Sequence, residues 1–275
     1  MSPASEELYP SKRLGQHFLR DPRTIQRIID ALAPTAGETI VEIGPGTGAL
    51  TSALVESAAS VIAVEFDSKL APLLSERFAG AGNFRLVMAD ALTTDFCAEI
   101  LPASTARLVA NLPYNISTAI VQRLIAQRAC FKEMVLMLQR EVVERLLAPA
   151  GTTDRGFISV LVEAYCEAEK LFDVAPGSFR PPPKVWSSVM RLKFRPRINA
   201  EITDEKLLWE TVSAGFAQKR KTILNNLRQA SGRLQEVLKR NGGASIVLCR
   251  ADVNLKRRAE TLLLEEWVRI VRAIE

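Results

Sequence analysis

Apolar positions along this chain follow two alternating rhythms. Ile25, Ile28, Ile29 and Leu32 fall on one helical face and predict a helix over 24–32, stopped by Pro34 and Gly37. The run Thr39-Ile-Val-Glu-Ile43 then reads as a short buried strand leading into the loop Gly44-Pro-Gly-Thr-Gly48. The alternation continues, with helices over 49–57, 68–78 and 117–127 and strands over 61–64, 84–88, 108–110 and 134–138. A charged helix over 140–147 follows, then a Gly/Thr/Asp loop over 151–156, a helix over 157–165 and a strand over 170–174.

Strands alternating with helices predict an α/β fold, a parallel doubly wound sheet. The segment 176–184, Pro-Gly-Ser-Phe-Arg-Pro-Pro-Pro-Lys, is expected to be a stiff loop without regular structure. A last strand is expected over 185–194 and a linker over 196–200, and from Thr203 the pattern is helical only. The expected organisation is one domain over 1–198 and a smaller all-helical domain over 199–275.

Composition narrows the class. The 275 residues are 48% hydrophobic and 24% charged, which is ordinary globular usage. No apolar run approaches the length needed to span a bilayer, and the N-terminus lacks a signal-peptide core, so cytoplasmic residence is the expectation. Cys97, Cys130, Cys166 and Cys249 are scattered without a C-x-x-C pair and are expected to be buried thiols. His17 is the single histidine, which excludes multi-histidine metal sites and argues against a Ser-His-Asp triad; no metal is expected. Residues 181–275 carry 19 Lys and Arg against 10 Asp and Glu, whereas the first 180 carry 17 against 21. That asymmetry fits an anionic macromolecule held by the C-terminal third, and it equally fits a solvated basic surface.

The candidate chemistry lies at strand ends. The glycine loop lets a nucleoside cofactor approach bare backbone, and Glu65, about 20 residues on, is placed to hold ribose hydroxyls. The same pattern satisfies G-x-G-x-x-G/A, so a nicotinamide enzyme fits it too. Asp90, at the end of the third strand, can accept from an adenine amine, with Ala91 and Leu92 flanking the ring. Asn111-Leu112-Pro113-Tyr114 closes the fourth strand, where the proline stops the ladder and presents an amide, carbonyls and an aromatic ring together. That set suits a planar base with an exocyclic amine.

Five motifs then occur in order: Gly15-Gln-His-Phe-Leu19, Val41-Glu-Ile-Gly-Pro-Gly-Thr-Gly48, Asn111-Leu-Pro-Tyr-Asn-Ile-Ser-Thr118, Phe179-Arg-Pro-Pro-Pro-Lys-Val185 and Phe216-Ala-Gln-Lys-Arg-Lys-Thr222. Over nearly its whole length the chain resembles the ribosomal RNA adenine N6,N6-dimethyltransferase family, and within it the bacterial small-subunit enzymes. The resemblance implies a Rossmann-like class I methyltransferase sheet with a helical RNA-binding domain. It implies S-adenosyl-L-methionine as methyl donor, S-adenosylhomocysteine as product, and cofactor contacts at His17, Leu19, Gly44, Glu65, Asp90 and Asn111. His17 stands where the family often has asparagine. Asn111, Leu112, Pro113 and Tyr114 become the catalytic set, with Phe179 opposing Tyr114 across the target base.

Lys219, Arg220, Lys221 and Arg228 are expected to contact RNA phosphates. The implied partner is 16S rRNA in the immature small ribosomal subunit, bound by a monomer that also serves ribosome assembly. Two rivals are distinguishable. A nicotinamide oxidoreductase would bind NAD rather than S-adenosylmethionine, and a non-catalytic assembly factor would incorporate no methyl groups.

Overall fold

The computed structural model describes residues 15–57, 59–196, 198 and 202–275. Most of the linker expected over 196–200 lies outside these described residues.

A seven-stranded sheet organises the first compact unit, which comprises the described residues up to 143 together with 169–193. In chain order its elements begin with β1 (Phe18–Leu19), α1 (Pro22–Leu32), β2 (Thr39–Ile43), α2 (Ala49–Glu56), β3 (Ser60–Glu65) and α3 (Ala71–Arg77). They continue with β4 (Phe84–Met88), α4 (Phe96–Glu99), β5 (Ala106–Asn111), α5 (Ser117–Ala126), β6 (Phe131–Gln139) and α6 (Arg140–Leu146). After α7 (Phe157–Tyr165) come β7 (Cys166–Val174), β8 (Phe179–Arg180) and β9 (Ser187–Phe194). The sheet order is β4-β3-β2-β5-β6-β9-β7. β2 is parallel to both β3 and β5, β4 is parallel to β3, and β6 is parallel to β5.

The sheet is therefore not parallel throughout, because β9 runs antiparallel to β6, with Gln139 opposite Ser187. No helix of more than one turn separates β7 from β9, so the chain has no crossover with which to return in parallel. Central strands are mostly apolar, as burial on both faces favours: Ile40, Val41, Val61, Leu108 and Val109 are at most 1% exposed, with Glu42 of β2 and Arg107 of β5 as charged exceptions.

Three departures from the sequence reading matter for the site. The segment 176–184 is not wholly irregular: Phe179 and Arg180 pair antiparallel with Leu19 and Phe18, forming a separate two-stranded ribbon. Cys97 and Cys130 are not thiols but are joined as a disulfide, with Cα atoms 5.2 Å apart, and Cys249 is exposed. Gln127 closes that distance, since its side chain accepts from Phe96 N and donates to Thr94 O.

The third departure is the domain boundary. Residues 144–168 join the described residues from 194 onward in the second compact unit, rather than falling in the domain expected over 1–198. The cause is α7, whose Val160 is buried in one core with α8 (Glu205–Gly215), α9 (Ile223–Arg228), α10 (Gly232–Arg240), α11 (Ala244–Arg250) and α12 (Leu264–Arg272). Tyr165 and Trp209 reinforce this packing through a 2.7 Å hydrogen bond between the indole N–H and the phenol oxygen. Gly215 is required here, because a Cβ would stand 2.4 Å from the Trp267 ring.

Candidate functional site

The carboxyl ends of β2, β3, β4 and β5 border a cavity of about 270 Å³. Its walls include Gly44 and Gly46, Glu65 and Phe66, Asp90 to Leu92, Asn111 to Ile116, and the segment Gly15 to Phe18. Parallel strands joined by helical crossovers bring the loops after β2, β3, β4 and β5 to one edge, so residues as far apart in sequence as Gly44 and Asn111 converge.

The loop after β2 is shaped by three glycines with φ of +70° (Gly44), +57° (Gly46) and +82° (Gly48). Side chains rarely adopt these angles, and a Cβ on Gly46 would lie 2.9 Å from the Phe18 ring. Beside the loop, Glu65 is 6% exposed. Its Oε1 accepts from Phe66 N and Asp67 N, each at 2.8 Å, and Oε2 lies 3.4 Å from Gly46 N. Burial pushes the Glu65 carboxyl above the usual range, and these backbone donors hold it down in part. Gln16 reaches over from the N-terminal segment and donates to Asp67 Oδ2 at 2.9 Å.

Asp90 is anchored by Leu92 N, which donates to Oδ1 at 2.9 Å; Oδ2 has no donor among the described residues. Its carbonyl accepts from Thr93 N and Thr94 N. At the end of β5, the Asn111 side chain donates from Nδ2 to the His17 carbonyl at 3.0 Å, which leaves Oδ1 as an acceptor. Leu112 N donates to Met137 O, and Pro113 O accepts from Ile116 N. The Leu112 carbonyl has no donor among the described residues. The Tyr114 hydroxyl lies 2.8 Å from Ser187 Oγ, and burial raises its pKa.

The aromatic arrangement departs from expectation. The ring stacked near Tyr114 is His17, with centroids 5.5 Å apart and planes 28° from parallel. Nδ1 of His17 is 2.7 Å from the Pro181 carbonyl and carries the hydrogen, since a carbonyl can only accept. Phe179 is 5% exposed and packs with Leu19, Ile28 and Val189, so it forms no clamp opposite Tyr114 in this structure. Strand alternation is the reason: on the β1–β8 ribbon Phe179 faces the core and Arg180 faces solvent. Leu19 is likewise buried in that core and does not line the cavity. Sequence reasoning passed over Gln16, Phe18 and Phe66, which do line it. No periodicity marks these residues; only the resemblance drew attention to residues 15–19.

In the second unit, Lys219 and Arg220 are exposed in the turn between α8 and α9, with Lys221 half-buried and Arg228 exposed. None of the four has an ion-pair partner among the described residues. Asn226, 2% exposed, holds that turn by donating to Gly215 O and Gln218 O. Ile223 N donates to Arg257 O at 2.7 Å, which brings exposed Lys256 and Arg258 beside the start of α9. The sequence reading did not single these out.

The cavity's polar groups are mostly acceptors: the Glu65 carboxylate, Asp90 Oδ2, Asn111 Oδ1 and the Leu112 carbonyl. An adenosine moiety offers donors to match, with diol hydroxyls for Glu65 and an exocyclic amine for Asp90. Apolar walls from Ile43, Val64, Ala91 and Ile120 suit its ring. Fold and cavity together define a Rossmann-like protein whose cleft is chemically matched to a nucleoside.

A model of the family described as ribosomal RNA adenine dimethylase matches residues 10–269. Ribosomal RNA small subunit methyltransferase A of Methylococcus capsulatus is 41% identical over 96% of this chain and 98% of that protein. Its counterpart in Nitrosococcus oceani is 42% identical over 95% and 94%. Among solved structures, a dimethyladenosine transferase from Plasmodium falciparum superposes with a TM-score of 0.76 at 27% identity, covering 92% of this chain and 96% of that one. The 23S rRNA methyltransferase ErmE superposes at 0.66 and 26%, over 94% and 99%. The chain belongs to the ribosomal RNA adenine dimethylase family.

Proposed function

We propose that this enzyme methylates N6 of two adjacent adenosines in a hairpin loop near the 3′ end of 16S rRNA, giving N6,N6-dimethyladenosines. Its substrate is the immature small subunit, and the second unit grips RNA phosphates through Lys219, Arg220, Lys221 and Arg228. Family membership and the names of its relatives support the reaction and the substrate. The observation that carries the reading is the acceptor pair at the end of β5, Asn111 Oδ1 and the Leu112 carbonyl, beside a cavity with nucleoside-matched acids.

Glu65, Asp90 and the glycine loop would hold S-adenosyl-L-methionine, which would supply an electrophilic sulfonium methyl, with S-adenosylhomocysteine as the leaving product. The chain's own residues address the other reactant. The adenine N6 lone pair is delocalised into the ring, which makes the amine a poor nucleophile. Asn111 Oδ1 and the Leu112 carbonyl accept its two N–H groups and favour a pyramidal nitrogen whose lone pair is directed at the methyl. Pro113 fixes the backbone between these acceptors and Tyr114. Tyr114 stacks on the base, an interaction worth roughly 1–3 kcal/mol. Positioning and preorganised dipoles supply the acceleration, and the acidic ammonium proton of the product departs without a strong base. Phe179 joins as the second face only if the β1–β8 ribbon moves.

Labelled methyl incorporation into immature small subunits tests the reading. The expected result is two dimethylated adenosines per subunit with the native chain. An inert native chain that still binds subunits would leave only the assembly role.

A further inference from the structure

Trp186 stands out among the residues that the reaction above does not use. Its indole is 45% exposed, whereas Trp267 is fully buried and Trp209 is half-buried and hydrogen-bonded. The backbone beneath it is fixed twice. Arg140 N donates to the Trp186 carbonyl at 2.9 Å, and the next residue, Ser187, holds the Tyr114 hydroxyl at 2.8 Å. Three consecutive prolines, Pro181 to Pro183, stiffen the approach from the other side. Ser187 pairs with Gln139 at the carboxyl end of β6, two residues beyond the Met137 that faces Asn111. The indole is therefore tethered at the same sheet edge as the methyl-accepting site.

Its surroundings select the occupant. Arg20, Arg180 and Lys184 are exposed and have no ion-pair partner among the described residues, and 176–188 contains no acid. Arg180 pairs with Phe18, which lines the cavity. An exposed aromatic on a fixed backbone, following a segment whose cations Arg180 and Lys184 are unpaired, matches a strand with flat faces and a charged backbone, and each stacked base contributes sequence-tolerant affinity. We infer that Trp186 is a stacking platform for the nucleotide flanking the target adenosine, with Arg180 and Lys184 meeting the adjoining phosphates. The inference rests on the proposed RNA substrate and adds a contact from the catalytic unit itself.

A platform that binds ground and transition states alike changes KM rather than kcat. Trp186→Ala is expected to raise KM for immature small subunits about tenfold while kcat and S-adenosylmethionine affinity stay within about twofold. Trp186→Phe, which keeps an aromatic face, should recover most of the loss. Adding a protein-free RNA hairpin that carries the two adenosines should quench the tryptophan fluorescence of the native chain far more than that of Trp186→Phe. An unchanged KM in Trp186→Ala, a parallel fall in cofactor affinity, or no recovery by phenylalanine would overturn the inference. So would weakened binding to assembled subunits with unaltered hairpin binding, since the indole would then meet a ribosomal protein. A native chain that incorporates no methyl groups would count against the underlying reading instead.

Discussion

Asn111 Nδ2 donates to the backbone carbonyl of His17 at 3.0 Å, across 94 positions of sequence. This bond decides which end of the amide is left for a ligand. With the nitrogen committed, the oxygen is the acceptor, and an amine rather than a carbonyl is the complementary group.

Asn111→Ala removes the acceptor, and Asn111→Asp sets a carboxylate against the His17 carbonyl. Both are expected to reduce single-turnover methyl transfer by about 10²–10³-fold, the range for loss of one preorganised polar group, and RNA affinity should remain near native. Near-normal turnover in either variant would refute the assigned role.

Glu65→Gln retains the shape of the side chain but removes its charge. We expect cofactor affinity, measured by titration calorimetry, to fall at least about tenfold through loss of charge-assisted hydrogen bonds. Because burial holds the Glu65 carboxyl above its usual range, native affinity should already decline at a pH where an exposed glutamate would stay ionised. The Gln variant should lack that decline.

Glu42 makes stability itself pH-dependent. Burial pushes its carboxyl up to about 7; the Thr51 hydroxyl, bonded at 2.7 Å, opposes this, and the charge of Glu65 adds to it. The unfolded chain releases this proton near the ordinary value of 4.5 and the folded one near 7, so the contribution is full below 4.5 and is lost as pH rises to 7. The loss is on the order of 3 kcal/mol. Thermal melts should show a fall in native stability over that window relative to Glu42→Gln; parallel pH curves would contradict it.

Gly48→Ala forces a side chain into φ of +82° and brings a Cβ to 2.9 Å from the Phe78 ring. A destabilisation of about 1–3 kcal/mol is expected from the backbone strain, read as a lower urea midpoint. Gly80→Ala is the control, with nothing within 4 Å of the added atom.

Replacing Lys219, Arg220, Lys221 and Arg228 by alanine should weaken RNA binding and flatten its salt dependence. If all four meet phosphates, the slope of log K against log salt should drop by about 3. An unchanged slope would show that these residues are only a solvated surface.

The sheet and most of the cavity were legible because one rule governs both. Parallel strands place their carboxyl ends together, so Glu65, Asp90 and Asn111 could be assigned to one edge from strand ends alone. The β1–β8 ribbon was not legible, since two-residue strands have no periodicity and Leu19 meets Phe179 160 positions away. The same non-locality hid the Cys97–Cys130 bond and the inward turn of Phe179. Helix α7 was recognised as a helix, but a helical pattern does not say which core it joins. Its apolar face packs with residues beyond 200.

The two-stranded ribbon also imposes an order of completion on a chain made from its N-terminus. Residues 15–19 emerge first, yet the strand that fastens Phe18 and Leu19 arrives only at 179–180. The five parallel strands are all present by residue 139, with the nucleoside cleft among them. During synthesis the cleft thus precedes its lip, and a chain stalled before residue 179 carries the walls of the cleft without the anchored His17 carbonyl to which Asn111 donates. The complete lining of the cleft is in this sense one of the last features the first unit acquires.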